Sequence, residues 1–181
     1  MNEVMSAQDL KEEGLRLFQE GLYAEAADRF KQARQMFTSE GDEVEAAEML
    51  NNLGVVHRMR REWDEAIAAL EDAQDAFETL GDRSRKAQVL GNLGGLYAGQ
   101  GQREQAKECL RQAAGIFADL GEEQRRGETL LALGVQQWKS GNRQGGLATY
   151  QAGLGTLATP TAGQKALRGL LNLRTKLLGG S

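Results

Sequence analysis

LGNLGGLYAGQG, residues 90–101, places five glycines in twelve positions of a stretch whose flanks read as helix. Each glycine inside a helix costs about 0.5–1 kcal/mol relative to alanine. Two physical reasons would justify the cost: a loop that cradles phosphate, or helices packed too closely for side chains. The phosphate reading fails on context. A dinucleotide fingerprint needs G-x-G-x-x-G between a strand and a helix. Here Gly99-x-Gly101 is followed at the third site by Glu104, and Ser84 to Ala98 carries no alternating β-branched run. No Gly-Lys-Ser/Thr occurs in the chain, which removes a P-loop.

Packing explains the stretch once the chain is compared with itself. A shift of forty residues brings Gly14, Gly54, Gly94 and Gly134 into one row, and Gly41, Gly81 and Gly121 into another. Ala26, Ala66, Ala106 and Gly146 align, as do Ala33, Ala73, Ala113 and Gly153, and Phe37, Phe77, Phe117 and Leu157. Self-similarity at a fixed period of this size marks a repeat array, in which each unit buries its apolar face against its neighbours. Within a unit the apolar spacing is helical. Leu50, Leu53 and His57 step by three and four, and Ala66, Leu70, Ala73 and Phe77 form a second stripe. Gly21, Gly101 and Gly141 share a register between the two stripes that suits a left-handed helix cap. Arg61 holds that register in the second unit, so its turn is expected to be strained or of another kind. Gly94 reads as a packing residue and Gly101 as a cap. The repeat leaves Gly91, Gly95 and Gly99 unexplained.

The pattern resembles the tetratricopeptide repeat (TPR) family. Leu50-x-x-Leu53-Gly54-x-x-His57 with Ala66-x-x-x-Leu70, and Leu90-x-x-Leu93-Gly94-x-x-Tyr97 with Ala106-x-x-x-Leu110, match its signature with substitutions. The forty-residue period resembles the variant in kinesin light chains, spindle-orientation adaptors and bacterial peptide-sensing regulators. The resemblance implies an all-α fold, an α-solenoid of about four helix-turn-helix units over about 7–40, 42–80, 82–120 and 122–158. Residues from about 161 to 178 read as a capping helix, opened by Pro160, because Arg174 stands where the packing glycine would fall. Residues 1–181 are expected to form a single domain.

Little in the composition points to catalysis. One His and one Cys cannot build a zinc site with nitrogen and sulfur ligands, and Cys109 has no second histidine to activate it. No cofactor, metal or catalytic residue is therefore expected. No apolar run could span a bilayer, the first residues lack a signal-peptide pattern, and the lone cysteine forms no intrachain disulfide. The expected setting is cytoplasmic, without membrane.

A binding surface remains. The resemblance implies a concave groove lined by the first helices, with residues beside each Leu-Gly pair pointing into it. Asn52, Asn92 and Asn172 share that register, and an amide can hold a peptide backbone through both its donor and its acceptor. Arg58 lines the same groove, and Leu131, Val135, Trp138 and Leu171 make its C-terminal end apolar. The net charge of −4 conceals a division. No Asp or Glu follows Glu128, so residues 129–181 carry a formal +6 and residues 1–128 a formal −10. Six cations over that length are too sparse for a nucleic-acid footprint on an acidic chain. The expected partner is a protein or peptide, acidic or ending in a free carboxylate, that meets Lys139 and Arg168 at one end of the groove. The alternative partner is another copy of the chain, joined acidic end to basic end as a sensor or assembly module.

If Gly94 is a packing residue, Gly94→Leu should overpack a helix contact and cost about 1–3 kcal/mol. Gly91→Ala should be neutral or stabilising where the position faces solvent. Thermal denaturation checks both. A Gly94→Leu melting temperature equal to that of the parent would contradict the packing role.

Overall fold

The computed structural model describes residues 5–169. Eight helices occupy most of that span: α1 (Ala7–Gln19), α2 (Tyr23–Glu40), α3 (Glu43–Arg60), α4 (Trp63–Thr79), α5 (Arg83–Gly99), α6 (Arg103–Asp119), α7 (Glu123–Lys139) and α8 (Arg143–Thr156). A further helix, α9, covers 162–169. There is no strand among the described residues.

The helices end because the chain turns left-handed at a fixed interval. Gly21, Gly41, Gly81, Gly101, Gly121 and Gly141 all have φ between +71° and +97°. All but Gly141 close the preceding helix with a pair of backbone bonds, and Gly141 does so with one, to the Trp138 carbonyl. At the first, the Gly21 N–H donates to the Phe18 carbonyl and the Leu22 N–H to the Leu17 carbonyl. Starts are fixed by side chains. Ser6 and Asp9 form a reciprocal capping box on α1, and Asp42, Asp82 and Asn142 accept from backbone N–H groups three residues on. Thr161 and Gln164 make the same box at the start of α9. Pro160 therefore lies one residue ahead of the cap, and Thr161 opens the helix. The remainder of the expected capping helix, through 178, lies outside the described residues.

Two compact units divide the chain, Met1–Leu96 and Tyr97–Ser181, with α5 running across the division. In the first unit α1 packs antiparallel to α2 and α3 to α4, because the apolar stripes meet at the glycine row. A Cβ on Gly14 would come within 2.6 Å of the Phe30 ring, and one on Gly54 within 2.5 Å of Leu70 Cγ. Phe30 and Leu70 fill the space that the glycines leave, and both are essentially inaccessible to water. Met49, Val56 and Phe77 are buried as completely, each contributing about 1.5–3 kcal/mol.

In the second unit α7 and α8 meet more closely still. Their contact is lined by Gly127, Gly134, Gly146 and Gly153, and a Cβ on Gly134 would lie 2.7 Å from the Gly146 carbonyl oxygen. Backbone touches backbone here, where the first unit places a leucine or phenylalanine side chain. Leu133, Leu154 and Leu157 close the layer around the glycines.

Arg61 is the one non-glycine residue with positive φ among the described residues, at +62°. It takes the same left-handed turn as its glycine counterparts, so the turn is strained and not of another kind. Two contacts hold it. His57 Nδ1 lies 2.6 Å from Glu62 Oε2, and Arg60 Nη2 lies 2.8 Å from Glu62 Oε1. The His57 hydrogen bond holds the Glu62 carboxyl below its usual range. A side chain in this conformation costs about 1–2 kcal/mol, of which part returns as lost chain entropy when glycine replaces it. Arg61→Gly should therefore raise stability by up to about 1 kcal/mol, read as a higher urea midpoint at unchanged slope.

Candidate partner-binding face

In the first unit the first helices α1, α3 and α5 are joined by polar contacts between buried and half-buried side chains. Lys11 Nζ reaches Glu45 Oε2 at 2.6 Å. Arg85 Nε stands 3.5 Å from Glu48 Oε2, and its Nη1 donates to Asp82 Oδ2 at 2.7 Å. Asn92 Nδ2 donates to Asn51 Oδ1 at 2.7 Å. Glu45, Glu48, Asn52 and Val55 step by three or four residues, with Asn51 and Arg58 flanking the same face of α3.

The residues expected to bind a partner are placed as follows. Asn52 is half-buried, as is Asn92, whose amide is partly committed to Asn51. Arg58 is half-buried against α5: a Cβ on Gly95 would meet its Nη1 at 2.6 Å. Gly95, unexplained by the repeat, is thus the residue that admits the guanidinium. A Cβ on Gly91 would meet no atom within 4 Å, so that position opens to free space. Asn51, a register neighbour of the expected row, is 2 % exposed and serves as the acceptor for Asn92.

In the second unit Val135, Trp138 and Lys139 line a cleft of about 200 Å³ with Gly134, Leu147 and Tyr150. Trp138 is 49 % exposed, and the Arg143 guanidinium sits 5.8 Å from its ring centroid. Leu131 is half-buried one turn before Val135 on α7. Arg168 donates from Nη1 to the Leu154 carbonyl at 3.4 Å, near the C-terminal end of α8. Lys139 lies at the other end of this antiparallel pair, beside the α7–α8 turn, so the two cations do not share an end. Their expected convergence fails because α9 starts where α8 stops. Leu171 and Asn172 lie outside the described residues. Sequence reasoning missed Leu147, Tyr150 and the Arg143 contact, although the five-residue step from Trp138 to Arg143 across a left-handed turn repeats that of the tilted aromatic pair Phe18 and Tyr23, whose centroids are 5.5 Å apart.

Burial, reinforced by Glu108, pushes the half-buried Cys109 thiol up and away from thiolate. His57 is occupied by Glu62. Among the described residues no cluster of His, Cys, Asp or Glu could hold a metal ion, and no helix is long and apolar enough to cross a membrane.

The geometry defines a helical-repeat protein whose first helices present a half-buried polar face. The chain belongs to the tetratricopeptide repeat family, whose model matches residues 14–79 and 45–119. No curated protein matches the sequence. Among solved structures, BtubC from P. vanneervenii is 21% identical with a TM-score of 0.69, over 92% of this chain and 64% of that one. Aspartyl phosphate phosphatase F from Bacillus subtilis is 14% identical with a TM-score of 0.80, over 83% of this chain and 39% of that one. A kinesin-light-chain-type protein of TPR-like repeats from Podosopora anserina is 17% identical with a TM-score of 0.68, over 95% and 91%. The chain spans less than two thirds of the first two proteins. All three likenesses are of fold: an all-α array of the α-solenoid class.

Burial raises the Glu48 carboxyl above its ordinary value, against the opposing pull of Arg85 and Lys11. A raised folded pKa means that the ionised form is disfavoured on folding. The associated stability is present below the unfolded pKa and is lost as pH rises through the folded value. Glu48→Gln, which imitates the protonated carboxyl, should match or exceed the parent in melting temperature at pH 7, and its advantage should shrink as pH falls to about 4.

Proposed function

We propose that this chain is a non-catalytic scaffold that binds a protein or peptide segment on the exposed face of its first helices. One observation carries the reading: Trp138, the most exposed large apolar residue described, stands with Val135 on a cleft rimmed by Lys139. That segment has no acidic residue, which favours a partner with acidic or carboxylate-ended character. Exposed aromatic anchors beside a pocket carry a disproportionate share of binding energy. Asn52 and Asn92 supply further donors and acceptors in the first unit, and Leu131 extends the apolar surface. Lys139 and Arg168 act separately, each on its own end of the partner. Leu171 and Asn172 are assigned to the same surface by register alone.

The opposed charges of residues 1–128 and 129–181 favour a second reading, self-association from acidic to basic end. Sedimentation velocity over a range of concentration and salt separates the two, since only self-association makes mass rise with concentration and fall with salt.

Selection of displayed peptides on the full chain, followed by titration of the best binders, tests the first reading. Trp138→Ala should weaken them about 30-fold, the scale of a hot-spot truncation. Lys139→Glu should weaken them less than about fivefold, as expected of a partly exposed ion pair. Selected peptides that bind Trp138→Ala unchanged would remove the cleft from the site.

A further inference from the structure

A first helix packs on the pair before it through two positions seven residues apart. On α3 these are Met49 and Val56, which join the core of α1 and α2 and are wholly buried. A shift of forty residues gives Val89 and Leu96 on α5, buried as completely. On α7 the same register holds Thr129 and Gln136, each 8 % exposed, although α7 packs on α6 as α3 packs on α2. Its only other polar holders are Asp9 and Arg16 of α1, and both of those are exposed among the described residues. Thr129 Oγ1 donates back to the Arg125 carbonyl of its own helix at 2.8 Å, so it gives nothing across the seam. Gln137 Oε1, next along α7, is buried without a hydrogen-bond partner among the described residues.

The contact between α7 and α8 is of the opposite kind. A Cβ on Gly146 would lie 2.6 Å from the Trp138 backbone nitrogen, and one on Gly153 would lie 2.9 Å from the Gly127 carbonyl oxygen. We infer that α7 and α8 move as one rigid hairpin, which swings from α6 about the Gly121 turn at the seam that Thr129 and Gln136 weaken. Backbone on backbone keeps the hairpin whole, whereas the seam has exchanged apolar burial for polar side chains. Its two ends differ in the same sense. Beside the turn the Arg125 guanidinium stands 5.9 Å from the Phe117 ring centroid, and at the far end Lys107 Nζ donates to Ser140 Oγ at 3.2 Å. The first contact can persist through a small rotation about the turn, and the second is the one that parts. The cleft of Val135, Trp138, Lys139, Leu147 and Tyr150 belongs wholly to the hairpin and travels with it unchanged. A segment held there biases the seam only if it also touches α6, because only then does it bind the two positions differently. The inference stands whatever the cleft binds.

The test uses the full chain with Cys109→Ala, which removes the native thiol, and a new thiol in the seam, Thr129→Cys. Val89→Cys, at the same register of α5, is the reference. Alkylation by iodoacetamide under native conditions reads the opening of each seam, and amide hydrogen exchange in the same protein reads unfolding of α7. Thr129→Cys should be alkylated about tenfold faster than Val89→Cys, with seam opening about tenfold more frequent than opening of the α7 amides. Adding Gln136→Leu, which restores the α5 residue at that register, should slow alkylation of Thr129→Cys about tenfold. Gln136→Met, unbranched and easier to fit, should act in the same direction. Equal alkylation of the two thiols would overturn the inference. Alkylation in step with α7 amide exchange would also overturn it, since the hairpin would then unfold instead of swinging. So would a rate that neither substitution at Gln136 alters, because the thiol would then be reached without any opening.

Discussion

The structure depends on how closely two antiparallel helices can approach. Where Gly14 and Gly54 face α2 and α4, no side chain holds the backbones apart, and Phe30 and Leu70 fill the crossing point. That contact sets the apolar layer between the helices of a pair. The layer in turn decides which residues of α1, α3 and α5 are turned outward. The polar contacts Lys11–Glu45, Glu48–Arg85 and Asn51–Asn92 form between first helices because the second helices occupy the other side. Left-handed turns complete the device by ending α1 to α7 before their faces rotate out of line.

The fold was legible because its signals are periodic. A row of glycine at positions 14, 54, 94 and 134 is visible to anyone who shifts the chain by forty residues. The irregularity at Arg61 is visible by the same means, since a lone arginine interrupts a glycine row, but only the positive φ decides for strain over a different turn. The turn's stitching by His57, Arg60 and Glu62 was not visible, because it depends on side-chain directions around a left-handed residue.

The candidate site was only half legible. Trp138, Val135 and Lys139 were found by register, and the structure places them around one cleft. Their companions Leu147 and Tyr150 come from the second helix, outside the register that marks groove residues. Arg58 was identified as surface-lining, but its relation to Gly95 was hidden. Contacts between neighbouring first helices join residues about forty apart, and no local pattern encodes which pairs touch. Lys139 and Arg168 show the converse error: adjacency in charge was read as adjacency in space.

The glycine contact between α7 and α8 has a consequence for how α8 holds its shape. Helix α8 contains Gly145, Gly146, Gly153 and Gly155, which together cost about 2–4 kcal/mol of intrinsic helicity. A segment of this composition does not hold a helix alone in water. It becomes helical because α7 offers a glycine-lined surface on which its backbone can lie. Helix α8 therefore depends on its contact with α7 for its helicity. Its backbone amides should exchange with solvent more readily than those of α7.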